Sequence, residues 1–331
     1  MALLFCDSFD HYTTVLQKWG NAYSSIGAFG RFGTSGLQDS SGATLTKTLP
    51  SSYGTLIIGA AVLLPNRNAG RIFSFHDTGS QQVELRVNSS GQLLVTRAGI
   101  GIGSTGTTVL NLSQFYYLEM KATIHNSTGV VVVRINGVTE LNLTGQDTQN
   151  TANATVNQIV LGESAVNLFH QYDDLVVLDT SGGSPTNDFL GDVRVQSIFP
   201  DGNGNSSQLD GSDGNQTDNY LLVDETAPNS DTDYVESSDV GDKDTYTYGN
   251  VTPTTGTVFG VQILPFAKKT DAGVRSIVTV ARHSGSEVDG PVQTLNSTYD
   301  YLEDIRETKP GGGAWSISDV NGAEFGVKVN A

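Results

Sequence analysis

Tyr116-Tyr-Leu-Glu-Met-Lys-Ala-Thr-Ile-His125 is the stretch that decides the fold. Tyr116, Leu118, Met120, Ala122 and Ile124 fall on one side of an extended chain, and Tyr117, Glu119, Lys121, Thr123 and His125 on the other. Side chains that alternate with period two mark a β-strand with an apolar inner face and a polar outer one, the pattern of an antiparallel sheet with one solvated side. Moving outward, Asn126-Ser-Thr-Gly129 is a turn and Val130–Ile135 a second strand. Asn136-Gly137 then supplies the two-residue turn in which both positions tolerate positive φ, and Val138–Leu143 returns.

The same grammar extends upstream and downstream. Thr55–Leu64, Arg71–Phe75, Val83–Val87, Leu93–Thr96, Gln158–Leu161 and Tyr172–Leu178 all read as strands, with Asn88-Ser-Ser-Gly91 as a hairpin turn. Short strands at intervals of about 8–12 residues with turn formers between them predict a sandwich or jelly roll. Asp179–Asn187 lacks periodicity and is rich in turn formers, so it divides the chain into domains 1–183 and 184–331. In the second, Asp192–Ile198, Phe259–Leu264, Val274–Val280 and Glu324–Val329 are strand-like, Asp201–Asn219 reads as a long polar loop, and Ser316-Ile-Ser-Asp319 opens one short helix through a capping box. The expected fold class is therefore all-β, with two β-sandwich domains.

Composition narrows the partners. Of 331 residues, 18 are Lys or Arg and 35 are Asp or Glu, a formal charge of −17, which argues against nucleic acid and against anionic membrane surfaces. Only 16% of residues are charged and 38 are Gly, so the surface is largely Ser, Thr, Asn, Gln and Gly. Cys6 is the lone cysteine, which excludes a disulfide framework. Met1–Asp10 has no basic n-region, and no apolar run approaches the roughly 20 residues of a membrane span. The chain reads as one folded in a cytosol, its Asn-x-Ser/Thr triplets as accidents of composition.

The motifs that could carry chemistry dissolve on inspection. Gly101-Ile-Gly103-Ser-Thr-Gly106 matches a dinucleotide fingerprint but runs into a strand, not a helix. Asp201-Gly-Asn203-Gly-Asn205 begins like a calcium loop, yet Ser212 stands where the twelfth-position Glu belongs. Asp173-Asp174 reads as a surface pair or turn cap, and the five histidines show no zinc spacing. There is no G-x-S-x-G elbow, and no strand carries the E-x-D-x-x-E row of jelly-roll glucanases. Trp19, Phe73, Phe75, Tyr116, Phe169 and Trp315 read as core side chains and not as sugar-stacking platforms. The expectation is no enzyme, with no catalytic, cofactor-binding or metal-binding residues.

The opener Asp7-Ser-Phe-Asp-His-Tyr12 with Trp19, the pair Tyr117-Leu-Glu-Met-Lys and Val133-Arg-Ile-Asn-Gly-Val138, and the closing Tyr172-Asp-Asp-Leu-Val-Val-Leu resemble the concanavalin A-like lectin/glucanase superfamily in its laminin-G-like form, over about residues 1–180. Leu190-Gly-Asp-Val-Arg-Val, Tyr220-Leu-Leu-Val-Asp-Glu-Thr-Ala-Pro, Lys268-Lys-Thr-Asp-Ala-Gly and Ala314-Trp315 with Glu324-Phe-Gly-Val-Lys are similar to a segment that follows such domains in virion proteins of tailed bacteriophages. These resemblances imply a concanavalin A-like jelly roll in a virion structural protein, made in the host cytoplasm and exposed on the particle as a capsid decoration or a tail or fibre component. Its implied partners are other virion proteins and copies of itself. The alternative is a carbohydrate-binding module for host surface polysaccharide, with host glycans as partner; a glycanase ranks third. Fold alone does not choose among them.

Overall fold

In the computed structural model, which describes residues 2–19, 24–39, 44–163 and 169–331, the deciding stretch is the strand Phe115–Thr123. It lies between Thr55–Leu63 and Gly129–Ile135, antiparallel to both. Asn136 and Gly137 turn the chain at φ 48° and 78°, as the sequence requires, into Val138–Gln146. The chain divides into two units, Met1–Val195 and Gln196–Ala331.

Among the described residues the first unit holds two antiparallel sheets. An eight-stranded sheet runs from Val138–Gln146 through Gly129–Ile135, Phe115–Thr123, Thr55–Leu63 and Gln171–Leu178 to Gly36–Gln38 and Ser25–Gly27, with Leu3–Asp7 also paired to Gln171–Leu178. A six-stranded sheet runs Leu45–Tyr53, Val156–Leu161, Gly70–Asp77, Ser80–Val87, Leu93–Arg97, Ile100–Ile102. The inner rows are apolar and buried: Leu56, Ile58, Leu118, Met120 and Val133 on the larger sheet, and Phe73, Phe75, Val83, Leu85, Val95 and Ile159 on the smaller. Burial of such side chains contributes roughly 1.5–3 kcal/mol each and fixes the register, because a one-residue slip would turn every one of them outward.

The opener Asp7–Tyr12 is part of this core. The Asp7 carboxylate accepts from the Phe9 backbone N–H (2.9 Å), the Tyr12 hydroxyl (2.9 Å) and Trp19 Nε1 (3.0 Å), and pairs with Lys18 at 3.5 Å. Burial alone would raise its pKa, but the Lys18 ammonium and these donors hold it below the usual carboxylate range.

The second unit carries a five-stranded antiparallel sheet, ordered Pro200–Ser207, Lys243–Tyr248, Glu324–Val329, Ser276–His283, Ser286–Thr294, with three two-stranded pieces beside it. Trp315, Phe325, Ile263, Ala281 and Val320 form its core. The helix Ile317–Asn321 starts at Ser316, with the expected capping box to Asp319. Arg306 and Asp304 pair at 2.8 Å out of solvent. Gly290 lies opposite this pair, where a Cβ would come within 2.2 Å of Thr279 Oγ1.

Two expectations are corrected here. Asp201–Asn219 is not a loop throughout: Pro200–Ser207 is a strand on Lys243–Tyr248, and Asn219–Leu222 is a 3-10 turn. Pairing to a neighbour, not local propensity, makes the strand. Asp192–Ile198 is not a strand, because its hydrogen bonds go to the side chains of Arg31 and Asp174 instead of to a sheet edge. No helix among the described residues is long and apolar enough to cross a membrane.

Candidate functional site

Among the described residues, a cluster of charged side chains lies on the outer face of each sheet of the first unit. On the eight-stranded sheet, Tyr117 and Glu119 are the residues the alternation sends outward, yet only 1% and 2% of their surfaces remain exposed. Gly59 lets the Tyr117 ring lie across its strand, since a Cβ there would meet the Tyr117 hydroxyl at 3.0 Å. Asp188–Val195 contacts this face as a strap: the Gly191 N–H donates to Glu119 (2.9 Å), Lys121 pairs with Asp188 (3.1 Å), and Arg134 sits over the Phe189 ring.

Asp173 and Asp174 lie beneath Arg31, at a bulge where Asp173 pairs with Ala61 and Val176 with Gly59. Asp174 adopts φ 54°, and both carboxylates are buried, which corrects their reading as a surface pair. Arg31 donates from Nε to Asp174 (2.7 Å) and from Nη1 to Asp192 (2.5 Å), bonds the Val193 carbonyl, and lies over Phe32 and Tyr117. Asp173 accepts the Arg31 and Asp174 backbone N–H groups, and Asp174 the Val195 N–H. Burial, with the Asp174 charge beside it, pushes Asp173 up to about 8. Burial likewise lifts Asp10 to about 6 and raises Glu119. One guanidinium thus ties a loop, a bulge and the strap together: a fastening.

The outer face of the six-stranded sheet is built differently. Ser74, Glu84 and Thr96 form one row across three adjacent strands, with Arg71 and Arg86 paired beside them. Glu84 accepts from Arg86 (2.8 Å) and Thr96 Oγ1 (2.6 Å) and lies 3.8 Å from Arg71. Arg86 also reaches Glu163 (2.7 Å), which takes the Arg71 backbone N–H (2.8 Å), while Arg71 Nε donates to the Gly162 carbonyl (2.5 Å). The four charges cancel in pairs. Burial lowers the Arg71 pKa, partly offset by Glu84 and Glu163, whereas Glu84 and Glu163 outweigh burial and raise that of Arg86.

His76 follows Ser74 on this face, two residues along. Its Nδ1 lies 3.2 Å from the Gly79 carbonyl and so carries the proton, because that carbonyl only accepts. Burial first, and then the Arg71 charge, depresses its pKa, so the ring is neutral and Nε2 is a bare acceptor. Neither Nε2 nor the fully buried Ser74 hydroxyl has a hydrogen-bond partner. A buried polar group left so costs about 1–3 kcal/mol. Arg71, Arg86 and Glu163 keep 12%, 24% and 21% of their side-chain surface, so this patch is accessible at its rim and polar at its floor.

From the sequence, no site is expected on this face. The available signal was Glu84 and Arg86 two apart on one strand and hence on one face; Arg71, Ser74 and Glu163 join them only through sheet pairing and the following turn. Trp19, Phe73, Phe75, Tyr116 and Trp315 are core residues, as expected; Phe169 is half-buried. Among the described residues no group of three His, Cys, Asp or Glu is arranged to hold a metal ion.

No family model matches the chain and no curated protein sequence is similar to it. Solved structures similar to it include a sialidase, 12% identical with a TM-score of 0.41 over 54% of this chain. Alginate lyase Aly36B is 18% identical, TM-score 0.36, over 48% of this chain and 84% of its own. The heptameric SAP-like pentraxin from Limulus polyphemus is 18% identical, TM-score 0.32, over 42% and 74%. The chain spans 19% of the sialidase's length. These are jelly-roll and sandwich-type folds related to concanavalin A-like lectins, and at such identities they bear on fold alone. The expectation that the chain is no enzyme is corrected: similar solved structures include enzymes, and a missing E-x-D-x-x-E row excludes one arrangement of carboxylates and no other chemistry.

Proposed function

We propose that the first unit binds carbohydrate on the outer face of its six-stranded sheet, across Arg71, His76, Glu84, Arg86 and Glu163. The observation that carries this reading is a rim of half-buried guanidinium and carboxylate groups, Arg71, Arg86 and Glu163, left in solvent at the edge of a polar strand face. Sugars are recognised by such fixed arrays of donors and acceptors, and a rigid sheet holds them without an ordering cost at binding. A glycan array and calorimetry on the full chain, with and without calcium, test it: the native chain binds and Arg86→Ala binds at least about tenfold more weakly. A blank array for the native chain ends the reading.

A second reading concerns setting. The resemblance of Leu190-Gly-Asp-Val-Arg-Val and of Ala314-Trp315 with Glu324-Phe-Gly-Val-Lys supports a component on the surface of a tailed-phage particle, made in the host cytoplasm and assembled with other virion proteins and copies of itself. Many copies on one particle would turn a weak glycan contact into an avid one. Mass spectrometry of purified particles tests this, and absence of the chain from them refutes it.

A further inference from the structure

Resting on the glycan-binding reading, we propose that the ligand of the six-stranded face is a neutral, hydroxyl-rich glycan and not a carboxylated one. Three features of the patch carry this. The two guanidiniums are already matched by two carboxylates, Arg86 lying between Glu84 and Glu163 at 2.8 and 2.7 Å, so no positive surplus awaits an incoming anion. A ligand carboxylate set against Arg86 would also face Glu163, the more exposed of its two partners.

An exposed acceptor is the second feature. Glu163 keeps 21% of its side-chain surface beside Arg86, whereas His76 Nε2 is closed to solvent. A hydroxyl donates once and accepts twice, so one sugar hydroxyl can give its proton to Glu163 and take an N–H from Arg86; an ionised carboxylate has no proton to give. The third feature is long-range: a chain of formal charge −17 repels polyanions before they arrive.

The test is calorimetry on the full chain with hexasaccharides of glucose, mannose, galactose, xylose and N-acetylglucosamine, against hexamers of guluronate, mannuronate and galacturonate. At least one neutral hexamer binds about tenfold or more tightly than every hexuronate, and its affinity changes less than about twofold between 50 and 500 mM salt, because no net charge is screened. Glu163→Gln keeps an acceptor for the Arg71 N–H but leaves Arg86 with one carboxylate, and so raises hexuronate affinity about tenfold with a new salt dependence. Preferential binding of a hexuronate by the native chain overturns this inference and leaves glycan binding standing. Binding of no sugar in the panel overturns both. The native-chain panel decides the matter without the variant.

Discussion

The two outer faces of the first unit use the same side-chain chemistry to different ends. On the eight-stranded sheet, Arg31 is satisfied by Asp174, Asp192 and the Val193 carbonyl, all supplied by distant parts of the same chain, and the strap residues Gly191 and Val195 donate to Glu119 and Asp174. On the six-stranded sheet the charges satisfy one another, and Ser74 and His76 keep unmet hydrogen-bonding atoms beneath them. Glu119 Oε2 and Arg134 Nε on the eight-stranded face also lack a partner, so an unmet atom does not by itself separate the faces. What separates them is that the strap Asp188–Val195 lies on one charged cluster, while Arg86 and Glu163 keep a rim in solvent on the other.

The sharpest way to break that comparison is to delete one guanidinium from each face. Arg31→Ala removes the guanidinium hydrogen-bonded to the buried Asp174 and leaves only the more distant charge of Arg194, and removing one partner from a buried ion pair costs about 3–5 kcal/mol. Arg86→Ala loses the charge-assisted bonds to Glu84 and Glu163 but leaves Glu84 with Thr96 and Arg71 and Glu163 with the Arg71 N–H, and costs about 1–3 kcal/mol. Urea melts of both variants check the order. The chain has two tryptophans, Trp19 in the first unit and Trp315 in the second, so a Trp315→Phe background makes fluorescence report the first unit alone. Equal losses would remove the distinction between the faces.

A smaller effect follows from protons. Asp173 sits near 8 in the folded chain and near 4 unfolded, so the stability it contributes is full below about pH 4 and is lost as pH rises through 8. His11, held at about 3 by burial and the Lys18 charge, and His76, also depressed, act in the opposite sense, losing stability as pH falls below their unfolded value near 6.5. Above 6.5 the histidines no longer oppose it. The urea midpoint of the first unit therefore falls between pH 6.5 and 8.5, and a midpoint that is flat or rising there would show that Arg31 keeps Asp173 and Asp174 ionised together.

How much of this was legible follows the range of the interactions. The strand Phe115–Thr123 and its Asn136-Gly137 hairpin are local, and the alternation of Tyr116–His125 reads them directly. The same alternation sends Tyr117 and Glu119 to water, and there it fails, because a strap some seventy residues downstream and Arg31 far upstream meet on that face. Asp173-Asp174 is equally opaque: two adjacent carboxylates look like surface until Arg31, more than 140 residues away, is known to meet Asp173 with its backbone N–H and Asp174 with its guanidinium. On the open face, Glu84 and Arg86 share a strand and were readable as neighbours, while Ser74 looks like any other strand serine until the register sets it opposite Glu84.

Ser74 also gives the smallest and most discriminating test. Its hydroxyl is buried with no partner, so in the free chain it contributes nothing and its desolvation is uncompensated. Ser74→Ala removes that cost with a side chain that fits the same space, and stability rises by up to about 1 kcal/mol. Glycan affinity in the same variant stays within about twofold, because a hydroxyl with no accessible surface lies out of a ligand's reach. Stability that falls in Ser74→Ala means the hydroxyl has a partner within the fold; affinity that falls about tenfold means the Arg71 and Arg86 side chains move aside and admit the ligand to the floor of the face.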